Sequence, residues 1–127
     1  MPETFPKAGR ILILEDEKPL LDIIVMILES RGWVCVTTRE GSRTIELARK
    51  SGPFDAALLD LHAGGSDGLE IAARLRSEHS DLPVILMSGT SDEDFSDRMR
   101  SIGRAAFLRK PFSIISLEAA ISSAVGS

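Results

Sequence analysis

Five short runs of continuous apolarity recur along the chain: Arg10–Leu14 (RILIL), Trp33–Thr37 (WVCVT), Asp55–Leu59 (DAALL), Pro83–Met87 (PVILM) and Ala105–Leu108 (AAFL). Runs this short predict strands, and their lack of alternation predicts strands covered on both faces, as in a parallel sheet. Between them the apolar residues fall at helical spacing. Leu20, Ile24, Ile27 and Leu28 form one stripe over 18–30, and Gly32 is placed to end that helix in a left-handed conformation. Ile45 and Ala48 mark a helix over 42–50 that Gly52-Pro53 stops, and Leu69, Ala72, Ala73 and Leu75 point inward over 69–78. Ser91 and Asp94 have the spacing of a capping box for a helix over 92–101, with Gly103 as its stop. Ile114, Leu117, Ile121 and Ala124 share the face of a last helix.

A strand followed by a helix, five times over, predicts an α/β fold: a parallel sheet with right-handed crossovers and helices on both faces. Such sheets hold ligands beyond the carboxyl ends of their strands. At those ends stand Glu15 and Asp16 after the first run, Asp60 after the third, Ser88 after the fourth and Lys110 after the fifth. The second run ends in Thr37-Thr38, away from the group if that strand lies at an edge.

Three clustered carboxylates raise one another's pKa and are costly to bury unless a cation joins them. A hard divalent ion with oxygen ligands suits them, Mg²⁺ best, since it is held by few carboxylates together with waters and phosphate oxygens. Lys110 adds a positive charge without filling a metal position, and Ser88 offers a hydroxyl donor. Together these groups describe a socket for a phosphoryl group, with Asp60 as the nucleophile. Taken singly, each has a plainer reading: a strand-end acid is often a helix cap, and a lone lysine is usually solvated. Glu17 is read as such a cap, and Asp22, Asp67, Asp92, Glu93 and Asp97 as solvated or capping groups. The joint placement of the others is what points to chemistry.

Composition narrows the field. The 127 residues carry a net charge of −4 with a pI near 5.2, and fit a single domain. No apolar run approaches the ~20 residues of a membrane span. No Lys/Arg stripe is interleaved with aromatics, so direct nucleic-acid binding is not expected; Arg39, Arg43, Arg49, Lys50, Arg98, Arg100 and Arg104 read as solvated helix faces. Without a signal-peptide pattern in MPETFPKAGR, a cytoplasmic location is the expectation. Cys35, the single cysteine, reads as a small core residue.

Several dispersed features now agree: the Glu15-Asp16 pair, Asp60 with Gly68 eight residues on, Ser88, and Lys110-Pro111 followed by Phe112. In these the sequence resembles the receiver domain of two-component response regulators, of the CheY-like superfamily. The resemblance covers residues 10–125, leaving 1–9 as a flexible N-terminal extension. It implies a flavodoxin-like doubly wound (βα)5 fold whose five-stranded parallel sheet has the order 2-1-3-4-5. It implies Asp60 as the phosphoacceptor, with Mg²⁺ bound directly by Asp16 and Asp60, through water by Glu15, and by the backbone carbonyl of His62. Ser88 would bind a phosphoryl oxygen and, with Phe107 at the aromatic position three residues before the lysine, form a switch. Lys110 would pair with the carboxylate and then with the phosphoryl group, and a cis Lys110-Pro111 bond would aim it.

The implied function is a phosphorylation-dependent switch of a phosphorelay, not an enzyme in the usual sense, though it assists its own phosphorylation and dephosphorylation. The donor would be a sensor histidine kinase or a histidine phosphotransfer protein. The output would be a changed surface of the fourth helix, fifth strand and fifth helix that controls a downstream protein. A phosphorylation-dependent homodimer stays open, and neither a nucleic acid nor a membrane is an expected partner.

The chain departs from the family at HAGGSDG, where Ala63 and Gly64 stand in place of a common Met-Pro pair. Three glycines within five residues predict a loop that settles only when Mg²⁺ and phosphate bind. His62 reads as a solvent-facing loop residue, with tuning of dephosphorylation as its functional alternative. Three other functions are weaker. A haloacid-dehalogenase-like phosphatase would need a second Asp where His62 stands. Flavin binding would need a phosphate-binding loop where the acids stand. An adapter working without phosphorylation would have no use for the acids, hydroxyl and lysine together.

Overall fold

Each apolar run forms a strand. The computed structural model describes residues 8–89, 102–103 and 105–125. Its strands are β1 (Arg10–Leu14), β2 (Val34–Thr38), β3 (Ala56–Asp60), β4 (Val84–Ser88) and β5 (Ala105–Arg109). They form one sheet of order β2-β1-β3-β4-β5 in which every pairing is parallel. This is the expected flavodoxin-like order. Helices α1 (Lys18–Glu29), α2 (Thr44–Ser51), α3 (Gly68–Glu78) and a C-terminal helix (Ile114–Val125) accompany it. The helix expected over 92–101, with Ser91, Asp92, Glu93, Asp94 and Asp97, lies outside the described residues. Gly103, expected to end it, has a positive φ of 88°.

The two-residue period of the strands divides the core in two. Leu12, Leu14, Ala57, Leu59, Val84 and Leu86 face α2 and α3, where they meet Ile45, Ala48, Ile71, Ala72 and Leu75. Ile11, Ile13, Ala56, Leu58, Ile85 and Met87 face α1 and the C-terminal helix, where they meet Leu21, Ile24, Leu28, Leu117 and Ile121. The central strands are fully covered, which is why their sequences are apolar at every position. An ion pair between Arg31 and Glu118 ties the turn after α1 to the C-terminal helix.

Helix ends follow local chemistry. Pro19 sits in the first turn of α1, where its missing N–H costs nothing. Gly32, with φ 92°, reverses the chain so that the Trp33 amide donates to the Leu28 carbonyl at 3.1 Å. Trp33 is buried there, one residue before β2. The Asp67 carboxylate caps α3, accepting from the amides of Leu69 and Glu70 at 3.0 and 3.4 Å.

The expected elements needed small corrections. β2, β3 and β4 begin one residue later than predicted. Trp33 is drawn into the turn after α1, Asp55 turns its carboxylate to the Arg10 amide at 2.8 Å, and Pro83 has no N–H to give. Leu21 rather than Leu20 is buried on α1, and on α3 Ile71 takes the place of Ala73, which is exposed. These are shifts of helical phase, to which a stripe of neighbouring apolar residues is insensitive. Ile114 is exposed beside Ile115, because the first turn of the last helix precedes Leu117, where contact with the sheet begins.

Cys35 is half-buried on edge strand β2. Burial first, and then the charge of Glu29, push its thiol up to about 11. At pH 8 only about a thousandth of it is therefore thiolate, the reactive form. Native protein should react with a disulfide reagent at pH 8 far more slowly than urea-unfolded protein, as followed by thiol release.

Candidate functional site

Parallel strands all finish on one edge, and the register of this sheet sets which finishing residues are neighbours. Leu14 is level with Leu59, Asp60 with Met87, and Ser88 with Arg109. The ladder continues past the strands: the Glu15 amide donates to Thr38 O at 3.2 Å and the Lys110 amide to Ser88 O at 2.9 Å. The two-residue alternation places Glu15, Asp60 and Lys110 at positions of the same parity as the α1 face of the sheet.

These three side chains meet. The Lys110 ammonium lies 2.7 Å from Glu15 Oε1 and 3.3 Å from Asp60 Oδ2. Glu15 is wholly buried, Asp60 is 5% exposed and the lysine side chain only 16%. The second oxygens are held by the backbone: Glu15 Oε2 accepts from the Glu17 amide at 3.0 Å, and Asp60 Oδ1 from the His62 amide at 3.1 Å. One carboxylate oxygen from each of Glu15, Asp16 and Asp60 lies within 4.8 Å of the others. Ser88, at the end of β4, is 1% exposed. Lys110-Pro111 is cis, as the family resemblance implies.

Burial pushes the Glu15 carboxyl above its ordinary range, and the nearby Asp60 charge adds to the rise. The hydrogen bonds from Lys110 and the Glu17 amide offset only part of it. Burial pulls Lys110 the other way, downward, but the Glu15 hydrogen bond and the charges of Asp60 and Glu15 outweigh it and leave the ammonium above its usual value. Three carboxylates converge there as a set of oxygen donors, which fits a hard divalent cation.

The loop after Asp60 is built around close approaches. Ala63, where a Met-Pro pair would begin, is fully buried, and residues 63–65 form a 3-10 turn. A Cβ on Gly68 would lie 2.5 Å from the Leu61 Cα and 3.0 Å from the Asp60 carbonyl oxygen, so only glycine lets α3 start this close to the nucleophile's strand. The His62 side chain is exposed, in keeping with its solvent-facing reading. Glu17 occupies the cap position of α1 without capping through its side chain, and Asp22 pairs with Lys18 at 2.9 Å in solvent.

One contribution escaped the sequence reading. Arg39 stands directly after β2, and its Nε and Nη2 donate to the Asp16 carbonyl at 3.0 and 2.9 Å. Its placement one residue beyond a strand end was the available signal, but an arginine among scattered basic residues gives no hint of a carbonyl partner.

A family model of the response regulator receiver domain matches residues 11–122. The chain belongs to this family. Receiver domains are phosphoacceptor switches of two-component systems and bind Mg²⁺ at an acidic cluster. The chain is 35% identical over 106 residues to the probable transcriptional regulatory protein TcrX of Mycobacterium tuberculosis, covering 82% of this chain and 44% of that one. It is 34% identical to the uncharacterized transcriptional regulatory protein YkoG of Bacillus subtilis, over 92% of this chain and 51% of that one. The receiver thus spans about half the length of the curated relatives it matches. Among solved structures, a CheY-like receiver domain protein from Methanospirillum hungatei superposes with a TM-score of 0.86 at 21% identity, over 94% of this chain and 95% of that one. Chemotaxis protein CheY4 of Vibrio cholerae gives 0.84 at 18% identity, over 93% and 99%. No helix among the described residues of this receiver is long and apolar enough to cross a membrane.

Because the folded receiver holds the Glu15 proton more tightly than the unfolded chain, ionising that group costs stability. The cost begins as pH rises past the ordinary value of 4.5 and is complete above the raised one. In metal-free buffer Glu15→Gln should therefore raise the melting temperature at pH 7, with the gain shrinking toward pH 4.5, as read by thermal scans across that range.

Proposed function

We propose that this receiver accepts a phosphoryl group on Asp60 from a phosphohistidine donor and signals through the resulting change of surface. The observation that carries the reading is the Lys110 ammonium set between Glu15 and Asp60, at 2.7 and 3.3 Å, on an edge that also gathers Asp16.

Each residue has a defined task. An Asp60 oxygen attacks the phosphorus while the bond to the donor nitrogen breaks and its electron pair leaves with the donor. Lys110 holds Asp60 in place before transfer and pairs with a phosphoryl oxygen afterwards. Asp16, Asp60, the His62 carbonyl and Glu15 would hold Mg²⁺, which would supply neutralising charge for the group being transferred. Most of the catalytic effect then lies in positioning, which the closed ladder of strand ends supports. Water on the acyl phosphate reverses the modification.

Ser88 and Phe107 form the switch. Ser88 ends β4 beside β5, and Phe107, level with Leu86, is 42% exposed. Drawing the Ser88 hydroxyl toward a phosphoryl oxygen opens space into which the Phe107 ring turns. The surface so changed comprises the expected fourth helix, β5 and the C-terminal helix, and exposed Ile114 and Ile115 supply apolar contacts there for a downstream protein.

Acetyl phosphate with Mg²⁺ should add one phosphoryl group to the intact protein by mass spectrometry, and Asp60→Asn should abolish the gain. An unmodified parent protein, or a gain that survives Asp60→Asn, would overturn the reading. With beryllofluoride and Mg²⁺ in place of phosphate, NMR of ring-labelled phenylalanine should show the Phe107 resonance moving to a buried environment while the Phe54 resonance stays in place.

A further inference from the structure

The backbone of Glu15 and Asp16 is fastened to the end of β2 by three hydrogen bonds. The Glu15 amide donates to Thr38 O at 3.2 Å, and the Arg39 guanidinium donates twice to Asp16 O, at 3.0 and 2.9 Å. Two N–H groups converging on one oxygen hold that atom in the fork of the guanidinium more firmly than a single donor does. The Asp16 carbonyl belongs to the same residue as the Asp16 carboxylate, so holding that oxygen, together with the Glu15 amide, limits how far the backbone that carries the side chain can shift.

The anchor itself is braced. The Thr38 hydroxyl accepts from the Glu40 amide at 3.1 Å and donates to the Glu40 carbonyl at 3.2 Å, closing the turn that carries Arg39. Gly41 then packs against the loop after β3, where a Cβ would come within 2.1 Å of Ser66 Oγ. The turn after β2 therefore touches the segments that follow both β1 and β3, which are the segments that carry Asp16 and Asp60.

We infer that Arg39 is a positioning residue for the Mg²⁺ site, acting through the Asp16 main chain rather than by touching the ion or the phosphoryl group. This inference rests on the assignment of Asp16 as a metal ligand. It gives a function to a residue otherwise indistinguishable from the exposed cations of the surface, and predicts sensitivity to the shape of its head group. A lysine keeps the charge but would bring one donor to that oxygen in place of two, so it restores the attraction without the second hydrogen bond.

Mg²⁺ titration by calorimetry of the parent protein, Arg39→Ala and Arg39→Lys tests this, with melting temperatures measured with and without Mg²⁺. Loss of a partner that orients a ligand typically weakens a metal about ten-fold or more. Arg39→Ala should bind Mg²⁺ about ten-fold more weakly by that measure. Arg39→Lys should fall between it and the parent, and all three should melt together when metal-free. Alanine-variant affinity within two-fold of the parent would overturn the assignment of Arg39 alone. So would full affinity in Arg39→Lys, or a metal-free loss of stability large enough to account for the weaker binding. Absence of Mg²⁺ binding by the parent would overturn the metal reading of the acidic cluster, and this inference with it.

Discussion

A parallel sheet brings the ends of its strands together regardless of what those ends carry. Here they carry acids, and the Lys110 ammonium is what makes the arrangement tolerable. Glu15 is wholly buried, and Asp60 nearly so, in the same few ångströms. Loss of the lysine would leave these carboxylates without its compensation, a change that typically costs about 3–5 kcal/mol for a buried pair. Loss of Glu15 would leave the lysine still beside Asp60. Yet even beside the lysine, burial still holds the Glu15 carboxyl above its ordinary range. The site is consequently a balance in which a buried carboxyl resists ionisation, and a divalent ion that favours the ionised form has something to gain there.

Much of this was legible in the sequence because it follows from short-range rules. Continuous apolar runs named the strands, and the strand-helix alternation made them parallel. Parallel strands then placed Glu15, Asp16, Asp60, Ser88 and Lys110 on one edge. Gly32 announced its left-handed conformation by following an apolar helix stripe. What remained hidden depended on helical phase or on contacts distant in sequence. Leu20 and Leu21 are equally good core residues until the helix is docked, and the exposure of Ile114 depends on where the last helix meets the sheet.

Arg39 illustrates the other limit. Its contact with Asp16 spans 23 positions along the chain and ends on a main-chain carbonyl, which every residue possesses. No pattern of side chains can mark such a partner. Gly68 is the opposite case: the resemblance to receiver domains drew attention to it, but only the backbone path explains it, since an added methyl would collide with Leu61. The HAGGSDG loop lies between these two. Its glycines suggested a slack connection, whereas the buried Ala63 and the close approach of Gly41 to Ser66 give it fixed points of attachment.

The position of Trp33 has a practical outcome. It is buried one residue before β2, and the acids gather where that strand finishes, about 16 Å away at the usual rise per residue of a strand. Indole emission from this protein will follow loss of the core and be nearly blind to events at the carboxylates. Unfolding can thus be followed optically in the presence of any ion or phosphoryl analogue, without its chemistry colouring the signal.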